Sequence, residues 1–298
     1  MKRHLLSAIA SAAVVLATSA QAGPVIIDGT DSADHGNNSG GTNNLGWEYM
    51  QRALTNLGST VSNTVATTVT VIGTDSGSQS RNAIASALAL SGVSSWTVNY
   101  VSGAANINAF MSTLSTTTTG ILYLSTAGLV AGDMDSTELA AVNAAAAQIN
   151  SFVGGSGNAA LGGALFAQGE TGAGEFGWLS TLIPGLVATD VGASGISTDI
   201  TLTAAGATAF PGLTNADLSG ADPWHGYFTG SLGGLSILGT ALDGNNTRAL
   251  ILGGGVGTNL QCGLPGQPPC RTPEPGSLVL VATAGLALLG LRRRRQIK

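Results

Sequence analysis

The chain has 298 residues, 44 of them glycine, with 44% hydrophobic and only 9% charged side chains and a formal net charge of −5. Seven of its 11 basic residues are Lys2, Arg3, Arg292, Arg293, Arg294, Arg295 and Lys298, so the rest of the chain sets four arginines against all 16 carboxylates, a formal −12. A surface of that sign repels phosphate backbones and anionic polysaccharide, which excludes nucleic acid as a partner and favours cations or neutral sugars.

The N-terminus reads Lys2-Arg3-His4, then an apolar stretch over residues 5–16, then "ATSAQA". A charged start, an apolar run and small residues at Ala20 and Ala22 form a signal peptide over residues 1–22 with its cleavage site. The Sec machinery and signal peptidase are the partners this implies, and the mature chain begins near Gly23, outside the cytoplasm.

Residues 23–260 are predicted to form one extracytoplasmic α/β domain, a length compatible with a single large fold. "VIIDG" (25–29), "VTVIG" (69–73), "WTVNYV" (96–101), "GILYLS" (120–125) and "GGALFAQ" (162–168) are short, continuous apolar runs, read as strands buried on both faces. Between the first two, "GWEYMQRALTNLG" places Met50, Ala53, Leu54 and Leu57 at helical spacing. "DSTELAAVNAAAAQINSFVGG" predicts one long helix with a stripe of Leu139, Val142, Ala146, Ile149 and Val153, opened by an Asp135–Glu138 capping box and stopped by Gly154. Strand and helix alternating five times predict a doubly wound, flavodoxin-like parallel sheet. After Pro184 the rhythm changes, and "GISTDITLT", "LSILGT" and "RALILGG" predict a β-richer finish.

The C-terminal segments are a linker over 261–276, an apolar transmembrane helix over 277–291 and a basic cytoplasmic tail over 292–298. In an oxidising compartment Cys262 and Cys270, bracketing "GLPGQPP", are expected to close one small disulfide loop, with two free thiols as the alternative. The apolar stretch spans about 22 Å as a helix, short of a ~30 Å hydrocarbon core, a gap that snorkelling arginines and local thinning close. The arginine block keeps its end in the cytoplasm.

Pro273-Glu274-Pro275, the apolar span and Arg292, Arg293, Arg294 and Arg295, in that order, resemble the PEP-CTERM sorting signal of Gram-negative bacteria. The resemblance covers about the last 26 residues. It implies an exosortase-type processing enzyme as partner and an inner-membrane anchor facing the periplasm. After tail removal, the protein would be delivered to the cell surface or an exopolysaccharide and biofilm matrix. The body, through "VIIDGTDSADHG", "GILYLSTAG", "GGALFAQGE" and "DPWHGYF", also resembles the class I glutamine amidotransferase-like superfamily, including its ThuA-like branches. The nucleophilic cysteine of a working amidotransferase is missing: the turn after the fifth strand reads Gln168-Gly169-Glu170.

In open α/β sheets ligands bind beyond the carboxyl ends of the strands. Asp28, Asp31, Asp34 and His35 follow the first predicted strand, Asp75 the second and Glu170 the fifth, while Asp222 and His225 stand in "DPWHGYF". Convergence of these loops would give a crevice suited to a divalent cation, or to acid/base work on a sugar stacked on Trp224. Taken singly, Asp-Gly and Asp-Ser after strands are ordinary turn and cap chemistry, as is the Gly-x-Asp-x-Gly of residues 73–77. Neither a G-x-G-x-x-G after the first strand nor a Walker loop occurs, so no nucleotide cofactor is expected. Two readings result: a non-catalytic, carbohydrate- or exopolysaccharide-associated envelope protein, or a hydrolase-like enzyme using the Asp/His/Glu crevice. A third, a purely structural matrix filler, needs no crevice.

Overall fold

All five apolar runs are strands of one sheet. The computed structural model describes residues 23–61, 65–126, 132–154, 162–169, 174–190, 200–219, 226–243 and 245–255. Both predicted targeting segments, the linker with Cys262 and Cys270, the predicted membrane span and the sorting residues lie outside the described residues. Among the described residues no helix is long and apolar enough to cross a membrane.

In chain order, β1 (Pro24–Asp28) leads to a hairpin of β2 (Gly36–Ser39) and β3 (Thr42–Leu45), then α1 (Gly46–Val61), β4 (Thr68–Ile72), α2 (Gln79–Leu90) and β5 (Thr97–Val101). α3 (Ala104–Met111), β6 (Ile121–Leu124), α4 (Ser136–Ala144), α5 (Ala146–Gly154) and β7 (Ala164–Gln168) complete the alternating half. The second half holds α6 (Leu179–Leu182), β8 (Leu186–Asp190), β9 (Thr201–Leu202), α7 (Ala204–Ala209), α8 (Asn215–Ser219), β10 (Gly226–Gly230), β11 (Ser236–Asp243) and β12 (Asn246–Gly255).

The sheet has ten strands. Its parallel part runs β5-β4-β6-β7-β1, and the antiparallel strands β12, β10 and β8 continue beyond β1, with β11 on β12 and β9 on β11. The chain is therefore α/β with a β-rich finish. Ranked by chain position the parallel strands read 3-2-4-5-1. The order reverses at β4 and β6, while β1 forms the seam between the parallel and antiparallel parts.

Strand alternation feeds two cores, one on each face. Ile26, Val69, Val71, Ile121, Tyr123 and Phe166 pack with α1 and α2, whereas Val25, Ile27, Ile72, Leu122, Leu124 and Leu165 pack with α3, α4, α5 and α6. Such double-sided burial explains why β1, β4, β6 and β7 read as unbroken apolar runs, whereas β5, expected to be buried as well, lies at the sheet's edge with Thr97 and Asn99 exposed and only Val101 buried. The Asp135–Glu138 capping box is present. The predicted long helix is two, because at Ala145 the backbone N–H turns to the Val142 carbonyl, tightening the turn to a three-residue step. Its stripe nonetheless stays inward at Val142, Ile149 and Val153.

Candidate functional site

The carboxyl ends of β4, β6, β7 and β1 open onto one edge of the sheet. β1 delivers Asp28, fully buried, on the α1 side. Its Oδ2 accepts from the Tyr49 hydroxyl of α1 at 2.7 Å, and its Oδ1 accepts from the Thr30 amide at 2.9 Å and the Thr30 hydroxyl at 2.6 Å. Thr30 Oγ1 lies 2.7 Å from Ser32 Oγ, so the Asp28-to-Ser32 turn is closed by its own side chains, as Asp and Thr favour after a strand. Burial pushes the Asp28 carboxyl up to about 7 against the pull of those hydrogen bonds.

Next along the loop, Asp31 is 1% exposed and its Oδ2 stands 3.6 Å from His35 Nε2. Asp34 follows, tied through its carbonyl to Gln79 Nε2 at 2.7 Å. The adjoining residue of α2, Ser80, donates to the buried Asp133 carboxylate, so consecutive side chains of one helix end hold Asp34 and Asp133 side by side. Burial first, and the Asp133 charge second, raise the Asp34 carboxyl to about 6. Both Asp34 carboxylate oxygens are shielded from solvent and accept no hydrogen bond among the described residues.

Two neutral groups complete the lining. Tyr123 of β6 donates to Gln168 Oε1 at 2.8 Å, and Gln168, the last residue of β7, sits directly across from Asp28 of β1. The Tyr123 phenol is raised well above its usual range by burial and then by the negative charges of Asp133, Asp28, Asp31 and Asp34, all close enough to act on it. Gln168 Nε2 comes near enough to Asp28 to offset part of its shift, yet no acceptor meets it at hydrogen-bonding geometry. Thr126, beyond β6, accepts the Met134 amide on its carbonyl, which sets it beside Asp133. Its own buried hydroxyl has no partner among the described residues.

Of the residues expected from sequence, Asp28, Asp31 and His35 are brought together with Asp34. Glu170, Asp222 and His225 lie outside the described residues. Asp75 is exposed and opens the turn into α2. That turn, with Gly73 at φ 74° and Gly77 at φ 83°, ends in Ser78 capping the Arg81 amide, so residues 73–77 serve as cap chemistry. Sequence reasoning missed Asp133, Tyr49, Tyr123, Gln168 and Thr126. A glutamine ending the fully buried "ALFAQ" was the one legible signal, since a polar side chain there must be used.

Among the described residues no three of the carboxylates and imidazoles converge to hold a metal ion. The arrangement offers instead a protonatable acidic wall, a carboxylate–imidazole pair and spare amide and hydroxyl groups. Comparison with family models, curated proteins and solved structures finds no match for this chain.

Proposed function

We propose that this chain is an exported, transiently membrane-anchored envelope protein of the PEP-CTERM type, whose α/β body associates with exopolysaccharide through a non-catalytic binding crevice at the carboxyl ends of its parallel strands. Two-sided helix cover is consistent with the doubly wound, glutamine amidotransferase-like reading, with one departure: the flavodoxin order 2-1-3-4-5 opens with its first strand at the switch point, and here that place belongs to β4. The sorting half of the proposal rests on Pro273-Glu274-Pro275, the apolar span and the four arginines, in that order.

The observation that carries the binding half is how the carboxylates are used. Asp28, the acid at a strand end, is consumed by Tyr49 and Thr30, while Asp34 presents two shielded oxygens with no partner among the described residues. Groups that are buried, polar and unspent suit holding a polar ligand. The second reading, a hydrolase-like enzyme, is favoured by one feature: the buried Asp31 carboxylate stands 3.6 Å from the His35 imidazole, within ion-pair distance of a group that could serve as a general base.

The test uses the full-length chain, purified in mild detergent and mixed with exopolysaccharide from the producing cells. Co-sedimentation without release of reducing ends is expected, and it persists in Glu170→Gln and His35→Ala. Release of reducing ends that either substitution abolishes would establish the hydrolase reading instead.

A further inference from the structure

The pattern of unspent groups specifies a ligand more closely than "polysaccharide" does. This step rests on the crevice being a binding site. Asp34 offers two acceptor oxygens next to a second carboxylate, Asp133, and the pair is held together from α2 through Gln79 and Ser80. An acceptor pair of one sign asks for a positively charged donor. Gln168 supplies the independent observation: 2% exposed, gripped through Oε1 by Tyr123 and set across from Asp28, which it influences without a well-aligned bond, it keeps an N–H group that no described residue meets at hydrogen-bonding geometry. A buried amide donor costs free energy unless a ligand oxygen meets it. The buried hydroxyl of Thr126, whose carbonyl bonds the amide next to Asp133, can give or take one further bond.

Three ligand classes can be set against this inventory. An anion meets carboxylates on every side. A bare metal ion leaves the Gln168 N–H facing a cation, and no three ligands converge for it among the described residues. A neutral sugar satisfies Gln168 and Thr126 but brings no charge to the two Asp34 oxygens, which accept no hydrogen bond among the described residues. We infer that the crevice binds a protonated amine carrying a neighbouring hydroxyl, as in an amino sugar with its amine free, the ammonium at Asp34 and Asp133 and a hydroxyl oxygen on Gln168 Nε2.

Such an amine can arrive as a free amino sugar or as a deacetylated residue of a polymer. Saturation-transfer NMR on the full-length chain in detergent near pH 7 separates these sources with glucosamine, N-acetylglucosamine, glucose and a chitosan tetramer as probes. Glucosamine is expected to bind about tenfold or more tightly than the other two monosaccharides, the size of one charge-assisted contact. Asp34→Asn removes that preference and Gln168→Leu weakens all three. The preference is read on the unaltered protein first, so a variant that fails to fold leaves the test intact. Tighter binding of the tetramer than of glucosamine supports the inference and assigns the polymer as source; equal binding supports it and assigns the free sugar. Equal affinity for the three monosaccharides overturns the amine inference and leaves the binding crevice standing. Displacement of glucosamine by calcium chloride, lost in Asp34→Asn, overturns it in favour of a metal. Binding of no saccharide at all overturns both the inference and the crevice.

Discussion

Asp28 is a carboxyl held at about 7 by complete burial, against 3.8 in an unfolded chain. Between those values the native protein keeps a proton that the unfolded chain releases, so stability falls as pH rises through that window. Asp34, raised to about 6, acts in the same direction over the lower part of it. For Asp28 the loss is on the order of 4 kcal/mol between pH 4 and pH 8. Asp28→Asn keeps a group that can accept from Thr30 and carries no charge. Its chemical-denaturation midpoint should therefore depend less steeply on pH, and at pH 8 it should equal or exceed that of the unaltered protein. Asp28→Ala flattens the pH dependence too, but it strands the buried Tyr49 hydroxyl and Thr30 and should lie about 1–3 kcal/mol below Asp28→Asn at every pH. An unchanged pH slope in Asp28→Asn would show that this carboxyl does not titrate where its burial places it.

Between β1 and α1 the loop that carries Asp31, Asp34 and His35 is held from α1, where Trp47 Nε1 donates to the Ala33 carbonyl at 2.7 Å, and from α2 through Gln79, and the β2–β3 hairpin that follows it is anchored above all through one amide. Asn43, 1% exposed, accepts from Asn38 Nδ2 at 3.0 Å and Ser86 Oγ at 2.6 Å, and donates to Gln51 Oε1 at 3.1 Å and the Ser86 carbonyl at 3.2 Å. Every bonding position of that side chain is used, which pins the hairpin to α1 and α2. Asn43→Ala should cost about 2 kcal/mol and speed hydrogen exchange at amides 36–45 well before global unfolding. Exchange that stays uniform with the core would mean that the hairpin is held by other contacts. None of this was legible in "GNNSGGTNNL", which reads as a polar loop, because cross-strand amide pairing leaves no hydrophobic period. Four of the five parallel strands were legible for the opposite reason: burial on both faces writes itself as a run of apolar residues, while the edge strand β5 was found by its β-branched and aromatic residues although it is largely exposed. The site divides along the same line. Asp28, Asp31 and His35 follow a strand directly and could be read. Asp133 reaches the same edge only after a further loop, and Tyr49 and Tyr123 pass for ordinary core aromatics until their hydroxyls are placed.

Over the whole chain, charge is sorted by position. All 16 carboxylates lie between Asp28 and Glu274, and seven of the 11 basic residues sit at the two ends. A body at a formal −12 has no attraction for an anionic membrane surface, so on the proposed route its residence there depends on the tail alone. On that route the fifteen uncharged residues 277–291 would be a short anchor whose hold depends on the arginines behind it. This yields two separable outcomes in cells fractionated into inner membrane, periplasm and matrix and probed with antibody to the body. Replacing Pro273, Glu274 and Pro275 by alanine should leave the protein in the inner membrane at its untrimmed length, since anchoring is intact and processing is lost. Replacing Arg292 to Arg295 by serine should release untrimmed protein into the periplasm, because the anchor loses its cytoplasmic lock. The unaltered chain should reach the matrix shortened by about the 26 residues of the sorting signal. Should the alanine variant reach the matrix at that shortened length, trimming does not depend on the Pro-Glu-Pro element, and delivery would have to be assigned to another segment of the chain.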